Sequence, residues 1–137
     1  MTDINQMTLE QLAETIRSCT SCQLHQGRNN AVPGEGPANA DIMFIGEGPG
    51  FHEDRQGRPF VGAAGNYLNE LLEKIDLRRE EVYITYVVNC RPPGNRDPQP
   101  EEIDACRSYV DSLMVVGRPT LIVRLGRCSG QRFVRGA

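Results

Sequence analysis

The chain has 137 residues, 39% hydrophobic and 24% charged, with a formal net charge of −3, 5 Cys, 14 Gly, 9 Pro and no Trp. That length fits a single domain over residues 1–137 with one hydrophobic core, and the ordinary charged fraction excludes wholesale disorder, fibrous composition and a globally basic nucleic-acid binder. The longest apolar runs, such as Leu121-Ile122-Val123, fall far short of the roughly 20 residues needed to span a membrane, and residues 1–9 lack a signal-peptide pattern, so a cytoplasmic protein is expected.

Thr8 is placed to cap a first helix, with Gln11 completing a capping box, and Leu9, Leu12, Ala13 and Ile16 follow at helical spacing up to Cys19 and Cys22. Gly27, Pro33, Gly34, Gly36 and Pro37 make residues 23–39 a loop. Residues 41–45 read as a buried strand ending at Gly46. Residues 46–65, dominated by glycine and proline, read as an extended loop of a length that is usually functional. Leu68, Leu71, Leu72 and Ile75 mark an amphipathic helix. Residues 82–88, β-branched and aromatic, form a second buried strand. A proline-rich loop then leads to a helical face of Ile103, Cys106, Val110, Leu113 and Met114, and residues 120–125 form a third strand closed by Gly126. Strands alternating with helices predict an α/β fold with a parallel sheet. Ligands of such sheets bind at the carboxyl ends of strands, where the residues after Gly46, Asn89 and Gly126 gather. The chain stops a few residues into the helix expected after the third strand.

Five cysteines without a secretory signal read as metal ligands rather than disulfides. Cys19 and Cys22 form a C-x-x-C that turns two thiolates toward one centre. Cys90 and Cys106 form a second pair, which would complete a cage for zinc or an iron–sulfur cluster. The wide separation of the second pair favours a cluster over a zinc ribbon; alternatively, Cys106 is a small core residue on its apolar helix face. Cys128 is left over.

Gly46-Glu47-Gly48-Pro49-Gly50 directly follows a strand, where glycines let the backbone approach a ligand closely. Glu47, Glu53 and Asp54 crowd carboxylates beside it, which disfavours bound phosphate and suits polarising water or facing a developing cation. Phe60 ends the loop, either stacking on a flat ligand or capping the core. After Met114 the charged residues are Arg118, Arg124, Arg127, Arg132 and Arg135, a stretch that could meet phosphate or form a solvated face.

Together, G-E-G-P-G-F-H-E-D-R-Q-G-R-P-F-V-G (46–62), Y-I-T-Y-V-V-N-C-R-P-P-G-N-R-D-P (83–98) and the four cysteines resemble the family 4 uracil-DNA glycosylases, iron–sulfur enzymes of the uracil-DNA glycosylase superfamily. The resemblance runs from Cys19 to Phe133. It implies a three-layer α/β/α fold around a central parallel sheet, with the family's last strand and helix missing. It implies a [4Fe-4S] cluster on Cys19, Cys22, Cys90 and Cys106, and a uracil pocket lined by Glu47, Gly48 and Pro49. It also implies that Phe60 stacks the flipped base and that Glu53 lies beside the reacting sugar. The implied partner is uracil-containing DNA, bound by a monomer.

Two departures from the family pattern bear on activity. Tyr86 stands where the family usually has an asparagine that reads uracil's edge, so a single phenol oxygen replaces an amide donor and acceptor. Asn89 is a nearby amide, but strand alternation puts it on the opposite face. The family's His-Pro segment has no counterpart, since the only histidines are His25 and His52.

The implied activity is hydrolysis of the N-glycosidic bond of deoxyuridine in base-excision repair, with Glu53 or Glu47 orienting water or balancing the cation. Arg91, Arg96 and the C-terminal arginines would contact phosphate. The alternatives are a truncated, non-catalytic [4Fe-4S] relative that binds nucleic acid, and a small zinc-binding module.

Overall fold

A computed structural model describes residues 7–126. Cys128, Arg127, Arg132 and Arg135 lie outside the described residues.

Among the described residues three parallel strands form the sheet: β1 (Ile42–Gly46), β2 (Tyr83–Tyr86) and β3 (Leu121–Arg124), in the order β2-β1-β3. Register pairs Gly46 with Tyr86 and Ile45 with Arg124, so β1 is central and all three strands end at one edge. Backbone bonds continue past β2, from Val87 N–H to Gly46 O and from Val88 N–H to Glu47 O, holding the next loop against the one after β1. The outer side of β2 is closed by an antiparallel bridge between Glu35 and Ile84, inside the segment the sequence presented only as loop.

Among the described residues four α-helices surround the sheet: α1 (Leu9–Arg17), α2 (Phe51–Gln56), α3 (Ala63–Lys74) and α4 (Pro100–Gly117). The capping box of α1 forms as its spacing predicted, Gln11 N–H donating to Thr8 Oγ1 and Thr8 N–H to Gln11 Oε1. Alternation along β1 separates two cores. Met43 and Ile45 pack with Leu12, Ile16, Tyr109, Val110 and Leu113 of α1 and α4, while Phe44 packs with Leu68 and Leu72 of α3 and with Val82 and Ile84. The molecule is therefore layered, with α1 and α4 on one face of the sheet and α3 on the other. Among the described residues no helix is long and apolar enough to cross a membrane.

Two expectations change. The loop over residues 46–65 contains α2, which starts after Gly50 and ends at Gly57 in the left-handed conformation. The helical face expected from Leu68 to Ile75 is narrower, because Leu68 and Leu72 are buried while Leu71 and Ile75 are exposed. A short three-stranded sheet covers only one turn-to-turn row of α3.

Candidate active site

Strand order reverses around β1: the connection through α3 leads to β2 on one side, and that through α4 leads back to β3 on the other. Such a switch point leaves a crevice at the carboxyl ends. A cavity of about 410 Å³ opens there. Its lining includes Glu47, Gly48, Pro49, Glu53, Phe60 and Tyr86, so every residue expected at the base pocket is brought to one place.

The strained element is Phe60, a non-glycine residue at φ +50, which is uncommon for a bulky side chain and clusters at functional sites. Side chains from several elements hold its surroundings. Phe60 N–H donates to the Tyr86 hydroxyl at 2.9 Å, and the two rings stack with centroids 5.0 Å apart and planes 13° from parallel. Arg79 donates to the Phe60 carbonyl at 2.7 Å and to the Pro59 carbonyl. Glu53 Oε2 accepts from Val61 N–H and Gly62 N–H, and its Oε1 from Gly50 N–H. Gly46 makes the stack possible, since a Cβ there would stand 2.6 Å from Phe60 Cζ.

This arrangement redistributes the carboxylates. Glu53 lines the cavity but spends both oxygens on three backbone amides, clamping the start of α2 to the loop before α3. Asp54, grouped with it on sequence grounds, faces away: it is buried and accepts from Asn29 N–H, Asn29 Nδ2 and Asn30 N–H. One step along a helix turns a side chain by about 100°, which separates the two neighbours. Glu47 stays at the cavity wall, packed against Gly126, whose φ of +95 and close approach exclude a side chain.

Tyr86 faces the cavity, and burial pushes its phenol well above the ordinary range, so it remains a neutral O–H. Because its oxygen already accepts from Phe60, what it can offer a ligand is donation. Asn89 lies on the opposite face as expected, buried and donating to the Val32 carbonyl at 3.0 Å. The amide that does line the cavity is Asn95, in the left-handed conformation at φ +58, with Oδ1 accepting from Arg91 Nε at 2.8 Å. Its position in C-R-P-P-G-N-R was the available signal, and its place in the cavity lining was missed.

Arg96 also lines the cavity, but the expectation that it is free to meet phosphate is corrected. Its guanidinium grips Glu102 through two 2.8 Å bonds, and Glu102 is buried. That bond, with a further one from Gln99 N–H, holds the Glu102 carboxyl down to about 2. Burial of a carboxylate at the start of α4 requires such a partner.

On the other face of the sheet, Cys19, Cys22, Cys90 and Cys106 line one small cavity together with Ile16, Arg28, Asn89 and Tyr109. All four thiols are free. Arg28 Nη1 donates to Cys90 Sγ at 3.2 Å, and Ser21 N–H to Cys19 Sγ at 3.4 Å. Burial pushes the Cys106 thiol up to about 12 and raises Cys90, so both depend on nearby positive charge to become thiolates. Among the described residues no group of three or more His, Cys, Asp or Glu side chains is arranged to hold a single metal ion. The sulfurs converge on a shared space without closing into the shell of one ion.

Comparison with known proteins agrees with this geometry. The Uracil DNA glycosylase superfamily model matches residues 33–136. The type-4 uracil-DNA glycosylase of Sulfurisphaera tokodaii is 53% identical over 123 residues, 89% of this chain and 56% of the relative. That of Archaeoglobus fulgidus is 51% identical over 124 residues, covering 90% and 62%, and that of Thermotoga maritima 48% over 128 residues, covering 93% and 67%. The chain thus spans between 56% and 67% of the length of these relatives. With its cysteine quartet and its cavity at the switch point, the chain belongs to the uracil DNA glycosylase superfamily, in the type-4 group.

Proposed function

We propose that this chain carries the base pocket of a uracil-DNA glycosylase, hydrolysing the N-glycosidic bond of deoxyuridine in DNA. The observation that carries this reading is the meeting of Glu47, Gly48, Phe60 and Tyr86 in one cavity at the switch point, in a chain about half identical to type-4 enzymes.

In the reaction the bond between uracil N1 and sugar C1′ breaks with its electron pair on uracil. Water oxygen bonds to C1′, one water proton goes to N1, and a sugar hydroxyl remains. The target lies inside a base stack, so the nucleotide must first be extruded. Phe60 receives the extruded base on its ring, with Tyr86 stacked behind it. Gly48 and Pro49 shape the wall beside the base, and Asn95 presents its amide nitrogen to the base edge while Arg91 holds its oxygen. Glu47 faces the positive charge that develops on the sugar and orients water. Glu53 fixes the loop that carries Phe60.

Cys19, Cys22, Cys90 and Cys106 would hold a [4Fe-4S] cluster, a group that four cysteine thiolates suit. When bound it supplies a cross-link between the end of α1, the loop after β2 and α4, and no redox step. Arg28, with Cys90 and the Cys19 carbonyl as partners, supports the thiolates.

A second reading, a [4Fe-4S] relative that binds DNA without releasing base, draws on the lining of the cavity, which among the described residues includes no histidine. His52 is exposed on α2 and His25 sits against the Cys22 carbonyl. The test is release of uracil from single- and double-stranded oligonucleotides by iron-loaded protein. Abasic product that disappears in Phe60→Ala supports the first reading; DNA retention without product supports the second.

A further inference from the structure

Five of the eleven arginines among the described residues meet a carboxylate: Arg17, Arg58, Arg78, Arg79 and Arg96. Arg55 and Arg91 have no such partner among the described residues and converge instead on one ring. Arg55 Cζ lies 5.6 Å from the Phe51 centroid and Arg91 Cζ 5.5 Å from it, although the two arginines come from different elements. Phe51 is 46% exposed, so part of its side chain is open to solvent.

The cluster sits on the rim of the base cavity. Phe51 follows Gly50 and Arg91 precedes Pro92, and both Gly50 and Pro92 line the cavity. Arg91 and Arg96 also line a second depression of about 340 Å³, shared with Gln23, Gln26 and Pro93. Arg96 borders both depressions. A chain of net charge −3 thus concentrates unneutralised positive charge and an exposed aromatic face at the mouth of its cavity. An aromatic platform beside guanidinium groups suits nucleobases flanked by phosphate.

We infer that Phe51, braced by Arg55 and Arg91, is a stacking platform for the unpaired nucleotide next to the extruded one, and that the groove beyond Arg91 takes the adjoining phosphates of the same DNA strand. The inference rests on the glycosylase reading for the position of the extruded nucleotide. Stacking on Phe51 is independent of base identity, and Arg91 acts twice, holding Asn95 at the pocket and facing phosphate outside it.

The test is fluorescence anisotropy of iron-loaded protein on a single-stranded oligonucleotide with a central tetrahydrofuran abasic analogue, which leaves the base pocket empty. Phe51→Ala is expected to weaken binding about tenfold and Phe51→Trp to preserve it, in line with the worth of one base–aromatic stack. Arg55→Gln and Arg91→Gln should each flatten the slope of log affinity against log salt, by about 0.7 for a single-strand phosphate contact. Phe51 is exposed, so far-ultraviolet circular dichroism of Phe51→Ala should match the parent. Equal affinity and equal salt slopes in all variants would overturn the platform even if uracil is released. Weakened binding by Phe51→Ala in a protein that releases no uracil would leave the platform standing and remove the glycosylase reading.

Discussion

The two faces of the sheet are built on opposite principles. On the α1 and α4 side, apolar side chains pack closely around four thiols, and the space among them is only about 10 Å³. On the α3 side, the core is small and the cavity at its end is about 410 Å³, held open by hydrogen bonds that Glu53 and Tyr86 accept from, and Arg79 donates to, the backbone of one loop. Order on the first face comes from burial and, in the proposed holo-protein, from an inorganic cross-link. Order on the second comes from polar side chains satisfying backbone groups that no helix or strand satisfies. β2 serves both, since Tyr86 faces the open cavity while Asn89 and Cys90, just beyond the strand, face the thiols. One sheet thereby separates what keeps the protein folded from what shapes its pocket.

Perturbing each face alone tests that separation. Cys106→Ala, at a residue 4% exposed, should have the largest effect on the fold. Iron and sulfide content should collapse, and the melting temperature should fall by on the order of 10 °C, because metal binding energy is folding energy. Full iron retention and an unchanged melt would break the comparison. On the other face, Gly46→Ala forces a Cβ to within 2.6 Å of Phe60 Cζ and 3.1 Å of Tyr86 Cδ1. Displacing the stacking ring by about an ångström should cut uracil release about a hundredfold while iron content stays intact. Loss of iron in Gly46→Ala would show that the two faces are not separable.

The sequence was most legible where local periodicity and packing agree. Thr8 and Gln11 announced their capping box, and the apolar runs announced three strands and their common edge. The C-x-x-C, with Cys90 and Cys106, announced a shared site because thiols have few other reasons to recur in that pattern. The failures lie where short-range geometry decides direction. α2 was hidden by flanking glycines, although Glu53 bonding back to Gly50 N–H nucleates it and Gly57 ends it. Asp54 was grouped with Glu53 because adjacency in sequence says nothing of the helical turn between them. Arg96 was assigned to phosphate because a partner six residues away, Glu102, declares itself only once the chain folds back at the start of α4.

The Arg96–Glu102 pair sharpens the comparison from a third direction, because it joins the pocket wall to α4, the helix that carries Cys106. Glu102 has a folded value of about 2 against an ordinary 4.5, set mainly by the Arg96 hydrogen bonds. A carboxyl depressed on folding contributes stability that is complete above its ordinary value and is lost as pH falls toward its folded value. Urea unfolding should therefore show stability rising with pH between about 2 and 4.5, and Glu102→Gln should flatten that rise. Persistence of the full slope in the variant would assign it to other carboxylates.

Tyr86→Phe is the mildest change and the most discriminating. It keeps the ring stacked on Phe60 and removes only the oxygen that accepts Phe60 N–H. A single neutral hydrogen bond contributes about 1 kcal/mol, so global stability should barely move. The local consequence is larger, because Phe60 is held at φ +50 against its own preference and loses one of the bonds that keep it there. Hydrogen exchange at the Phe60 amide should quicken, and KM for uracil DNA should rise a few-fold with kcat nearly constant. Preference for uracil over cytosine should survive, since the amide proposed to meet the base edge is that of Asn95, which the substitution leaves in place. If that preference collapses while Phe60 exchange is unchanged, Tyr86 reads the base directly, and the polar side chains of the open face select the substrate as well as support the loop.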